Sequence, residues 1–172
     1  GRFEIITTIN SFHGRTMATV TATGQEKFHK DFEPLLPGFS YVPFNDVEAM
    51  ERIINESTCA VMVEPIQGEG GVNCPSGNYL KGLRKICDRH DVLLIFDEVQ
   101  VGMGRTGTLF AYEGYGVEPD IMTLAKGLGG GLPIGAMLAK EEVASSFVPG
   151  SHATTFGGNP VVTASALAFV NT

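Results

Sequence analysis

Three nearly uninterrupted apolar runs mark the chain, at residues 59–63, 92–96 and 121–125. Alternating patterns belong to strands with one wet face; runs like these predict strands buried on both faces, as in a parallel sheet covered by helices. Between the first two, within 77–90, Tyr79, Leu80, Leu83, Ile86 and Cys87 recur at helical spacing. Strand, helix and strand form a β-α-β unit, which takes a right-handed crossover. Weaker patterns predict a strand at 3–9, a helix around 47–54, a strand at 135–139 and a helix opening after Pro160. No internal repeat or low-complexity linker interrupts them.

The two ends change the picture. Residue 3 already falls inside a strand pattern, and the last residue, Thr172, falls in an Ala-rich helical stretch with no stop signal. A piece of a longer protein is the expectation. Of 172 residues, 43% are hydrophobic and 18% charged, a balance that fits a soluble α/β domain. No apolar stretch reaches the roughly 18 residues of a membrane span, no leader is legible, and a cytoplasmic location is expected. Net charge is −7 with scattered basic residues, which argues against a nucleic-acid partner and for small molecules. The three cysteines, Cys59, Cys74 and Cys87, lack metal-site or redox spacing. They are read as reduced thiols, with Cys59 and Cys87 in the core.

Twenty-two glycines, about twice the usual share, gather at 68–71, 102–107, 127–135 and 157–158, after predicted strands. Glycine collects where backbone turns sharply or approaches a ligand. Asp97 ends the run Val-Leu-Leu-Ile-Phe, at the strand end where open α/β sheets bind ligands. It either faces a ligand there or caps the next turn. Lys126 follows another apolar strand and precedes a run of glycines; either it is a surface lysine, or burial lowers its pKa toward a nucleophilic amine. Taken together, an acid and a lysine at two strand ends suit pyridoxal phosphate, which needs a lysine for its Schiff base and an acid to keep its pyridine nitrogen protonated. Gly102-Met-Gly-Arg-Thr-Gly107 also matches a dinucleotide fingerprint. Its first glycine comes five residues after Asp97, and no acid ends the following strand, so that reading is set aside.

Six ordered strings resemble the class III aminotransferases: Ser11-Phe-His-Gly-Arg-Thr16, Glu64-Pro-Ile-Gln-Gly-Glu-Gly-Gly71, Phe96-Asp-Glu-Val-Gln100, Gly102-Met-Gly-Arg-Thr-Gly107, Ala125-Lys-Gly127 and Thr155-Phe-Gly-Gly-Asn-Pro160. They span nearly the whole chain, and their wording is nearest the acetylornithine branch. The resemblance implies an aspartate-aminotransferase-like large domain, a mostly parallel sheet with helices on both faces, of which residues 1–172 are the central part. It makes Lys126 and Asp97 catalytic and pyridoxal 5'-phosphate the cofactor. Phe12 and Val99 would sandwich the ring, Gln100 would bond its phenolic oxygen, and Thr155 would reach the phosphate of a neighbouring subunit, implying a homodimer. Arg15 would bind a substrate carboxylate, and Glu69 would mask or release a second arginine outside this chain. The implied reaction transfers an amine from N-acetylornithine to 2-oxoglutarate, in arginine biosynthesis. Alternatives are another donor (ornithine, succinyldiaminopimelate, 4-aminobutyrate or another ω-amine) or an inert structural fragment. The family's phosphate-binding turn and small domain are not in this sequence, so the isolated chain is expected not to turn over.

Overall fold

The computed structural model describes residues 1–172. Its centre is a six-stranded sheet in the order β2-β1-β3-β4-β5-β6. The strands are β1 (Glu4–Thr8), β2 (Phe39–Val42), β3 (Thr58–Val63), β4 (Leu93–Asp97), β5 (Ile121–Leu124) and β6 (Ala136–Ala139). The first five are joined by parallel pairings, and β6 runs antiparallel to β5.

Helix α3 (Tyr79–His90) carries its apolar stripe where the spacing predicts: Tyr79, Leu80, Leu83, Ile86 and Cys87 are buried. They pack on Val61, Val63, Leu94 and Phe96 of one sheet face, joined by Met50 from α2 (Val47–Ile53). Asp46 caps α2 by accepting from Ala49 N at 2.7 Å. Helix α3 stops at Asp91 in a left-handed conformation, φ 53°. A second small core joins Met122, Leu124 and Leu128 to Ala166 of α6 (Pro160–Val170).

The opposite face is covered unevenly. Helix α1 (Met17–Ala22) lies over β1 and β2, where Thr7 Oγ1 donates to Ala22 O at 2.8 Å and the Tyr41 hydroxyl to Thr21 O. Farther along that face Met62, Leu93, Ile95 and Ile121 are only half-buried. The apolar runs predict burial on both faces; within this chain one face is sealed, and the other is sealed only where α1 lies. Cys59 also departs from expectation. It is half-buried beside the register shift between Glu4 and Ile5, with Sγ 3.2 Å from Glu4 O. Cys87 is fully buried, and burial pushes its thiol up to about 12.

No helix is long and apolar enough to cross a membrane. The elements without a clear sequence signal are α1, β2, α4 (Ala111–Tyr115) and α5 (Glu141–Ala144).

Asp120 ties α3, β4 and the end of β6 together. It accepts from Leu94 N at 2.8 Å, Arg84 at 2.8 Å and Lys140 at 2.9 Å. Burial alone would raise its carboxyl, but these donors hold it below the usual range. A lowered carboxyl contributes stability above its unfolded pKa, near ~3.9, and that contribution is lost as pH falls through the lower folded value. Asp120→Ala, which strands two cations, should cost about 3 kcal/mol in chemical denaturation at pH 7. The gap from wild type should shrink below about pH 4; Asp88→Ala, at a mostly exposed carboxylate, should stay within about 0.5 kcal/mol.

Candidate active site at the carboxyl edge of the sheet

Parallel strands bring their carboxyl ends to one edge, and four segments leave it side by side: the loop after β1 and those after β3, β4 and β5. They enclose a cavity of about 290 Å³. Phe12, Asp97, Val99, Gln100, Lys126 and Glu69, six of the residues singled out in the sequence, line it. His13 and Glu64, not singled out, line it too. A larger hollow of about 520 Å³ lies near Asn10, Asn45 and Val72, with Cys74 its one titratable group. Of these two, only the smaller brings carboxylates, an imidazole and an amine together.

Asp97 is 4% exposed. Its Oδ1 accepts from Val99 N at 3.1 Å, and its Oδ2 stands 2.7 Å from His13 Nδ1. An ionised carboxylate can only accept, so Nδ1 carries the hydrogen of that bond. The His13 side chain is wholly out of solvent, and its Nε2 is buried with no protein partner. Asp97 thus caps its own turn and also lines the cavity.

Glu64 directly follows β3, and Asp97 is the last residue of β4. Burial raises its carboxyl; the Phe12 N–H at 3.0 Å, His13 and the Gly68 N–H at 3.2 Å oppose that rise, while the charge of Asp97 adds to it. Gly68 is glycine for a steric reason: a Cβ there would stand 2.6 Å from Gln100 Cγ. Gln100 uses that space to accept a hydrogen bond from Lys126 Nζ.

Lys126 is exposed, so of the two readings its sequence surroundings left open the surface one holds. It opens the 3-10 turn Lys126–Gly129 with φ 44°, in the left-handed region, and from there its amine reaches Gln100 at the cavity rim. Such a backbone costs a non-glycine residue about 1 kcal/mol or more.

Arg15 lies just outside the lining, its guanidinium 4.3 Å from the ring centre of Phe28 and 5.7 Å from that of Phe12. A surface ion pair between Arg15 and Glu69 does not form; Glu69 pairs with Gln25 and Lys27. Thr155 does not join the cavity. It is exposed, in the segment before α6. Gly102–Gly107 runs as successive turns and opens no helix, since α4 begins at Ala111, so the dinucleotide reading fails on structure as well.

His13 and Glu64 were both legible in principle. Each lies inside a quoted string, and Glu64 obeys the strand-end rule applied to Asp97.

A family model described as aminotransferase class-III matches residues 1–172. The acetylornithine aminotransferase of Caldanaerobacter subterraneus subsp. tengcongensis is 61% identical over 170 residues, covering 99% of this chain and 43% of the relative. That of Methanocaldococcus jannaschii is 58% identical, covering 97% and 42%. Among solved structures, an ornithine aminotransferase from Toxoplasma gondii with partial occupancy of PLP at its active site superposes with TM-score 0.94 at 39% identity, covering 99% of this chain and 40% of its own. A PLP-bound amine transaminase from an uncultivated Pseudomonas species gives TM-score 0.90 at 31% identity, covering 99% and 45%. The chain spans less than half the length of these relatives.

Glu64 is the acceptor for two loop amides, so Glu64→Ala should leave both unbonded at a cost of about 1–3 kcal/mol. Hydrogen exchange at the Phe12 amide should then speed up about tenfold or more. Unchanged exchange would show that the loop is held by other contacts.

Proposed function

Because the chain belongs to the class III aminotransferases, we propose that it is the central part of the cofactor-binding large domain of an enzyme that transfers the amine of N-acetylornithine to 2-oxoglutarate. The observation that carries the reading is the meeting of Asp97, Gln100 and Lys126 in one cavity. The identity to acetylornithine aminotransferases, 58–61%, favours that donor over ornithine. The reaction belongs to arginine biosynthesis. Three unpaired cysteines fit the reducing cytoplasm.

The donor set fits pyridoxal 5'-phosphate. A buried, oriented carboxylate is what a protonated pyridine nitrogen needs, a primary amine is what the aldehyde needs, and the apolar Phe12 and Val99 suit the faces of a flat ring. When bound, the cofactor supplies an electron sink for the carbon that loses its proton.

Asp97 would keep a proton on the ring nitrogen, and the His13 N–H and Val99 N–H fix its two oxygens for that task. Gln100 would position the phenolic oxygen. Lys126, on an exposed turn with its amine at the rim, would take and return the substrate proton. Arg15 would receive a substrate carboxylate through its planar fork, and Glu69, in the cavity lining, would mask or release a second substrate-binding arginine outside this chain. Thr155, outside the cavity on an exposed segment, would serve the phosphate site of a second subunit, so the working enzyme would be a homodimer.

The test uses the full-length protein. N-acetylornithine with 2-oxoglutarate should yield glutamate, and Lys126→Ala should lower the rate by about 10²–10⁴-fold. Borohydride reduction and peptide mapping should find a pyridoxyl group on Lys126; finding it on Lys81 or Lys140 would overturn the assignment. Asp97→Asn should hold cofactor weakly and slow proton removal by about a hundredfold, whereas near-normal turnover would mean another acid does this work.

A further inference from the structure

Arg15 makes no ion pair, although Glu69 is near enough for the Arg15 charge to help lower its carboxyl. Two other groups hold Glu69. Gln25 Nε2 donates to Glu69 Oε2 at 2.7 Å and to the Ser11 carbonyl at 2.9 Å, so it bridges the loop after β1 to the loop after β3. Lys27 Nζ stands 3.4 Å from Glu69 Oε1. Both residues belong to the segment forming the 3-10 turn Glu26–Phe28. The Phe28 ring there receives Arg15 at 4.3 Å and Lys27 at 4.6 Å, and meets Phe12 edge to face at 5.2 Å. One aromatic ring thus fixes two cations, and only Lys27 comes within ion-pair distance of Glu69.

We infer that Gln25 and Lys27 are positioning residues that hold Glu69 off Arg15, leaving the Arg15 guanidinium open to a carboxylate of the substrate. The inference rests on the role given to Arg15 above. Left loose beside a guanidinium, a carboxylate pairs with it in bidentate fashion, and an internal partner competes with every substrate molecule. Were Glu69 to occupy Arg15 for about nine-tenths of the time, apparent affinity for a substrate carboxylate would fall about tenfold. Lys27 is 62% exposed and its ion pair alone is weak. Gln25, anchored on Ser11, therefore sets the direction of Glu69, and Lys27 supplies the competing charge.

The full-length holoenzyme tests this with glutarate, an unreactive dicarboxylate, titrated by calorimetry. Replacing both Gln25→Ala and Lys27→Ala should raise its Kd about tenfold. KM for 2-oxoglutarate should rise by the same factor while kcat stays within about twofold, the mark of lost binding rather than lost chemistry. Lys30→Ala, which removes a nearby cation without touching Glu69, should leave Kd unchanged. On a Glu69→Gln background, and equally on an Arg15→Ala background, the double replacement should add nothing, because one member of the competing pair is already gone. An additive effect there, or an equal effect from Lys30→Ala, would overturn the tether. Should Arg15→Ala leave glutarate binding intact, the carboxylate role of Arg15 fails and the tether fails with it. Normal dependence on Arg15 with an unaffected Gln25/Lys27 variant would overturn the tether alone.

Discussion

Three carboxylates taken out of water at the carboxyl edge of the sheet decide how the surrounding loops run. Glu64, Asp97 and Glu98 are 3%, 4% and 1% exposed. Removing such groups from water is costly unless donors replace it, and here the donors come largely from backbone. Glu64 takes the Phe12 and Gly68 amides, Asp97 takes Val99, and Glu98 takes Ala111 and Tyr112 at the start of α4 at 2.7 and 2.8 Å. A loop that moved away would strand a buried charge, so the loops stay and the cavity keeps its shape. The acids that make the edge expensive to build also keep it in place.

The strands were legible because their apolar runs reflect real burial: Val61, Val63, Leu94 and Phe96 are fully enclosed. α3 was legible because its stripe is the stripe that packs. β2 escaped because Phe-Ser-Tyr-Val is short and alternates at the sheet margin, where side chains are partly wet. α1 escaped because Met-Ala-Thr-Val-Thr-Ala is rich in β-branched residues that disfavour helix; the turn Thr16 N → Thr19 Oγ1 at 3.0 Å and packing on β1 and β2 override that preference. The half-covered second face could not be read at all, since an apolar run records what a strand can bury, not what lies over it.

At the cavity, Asp97 and Lys126 stood out because each is a polar residue abruptly following an apolar strand. Glu64 follows β3 in the same way and was read only as part of a string. His13 carries a different lesson: its importance lies in a partner 84 residues away in sequence, which no local pattern reveals. The same holds for Gln25 and Lys27, whose contacts with Glu69 cross 44 and 42 residues. Local rules identify residues with unusual chemistry; the groups that aim them come from other strands, and only the topology names them.

The backbone at Lys126 has one further consequence. A φ of 44° is a conformation that glycine adopts freely and lysine does not. On stability alone, the turn after β5 favours the smallest residue, and the long amine is kept there against that preference. Drift under selection for foldedness only would therefore erode this position early, trading the amine for a relaxed turn. A lysine at such a site stands there at a cost to the turn, a cost that the role proposed for its amine would account for.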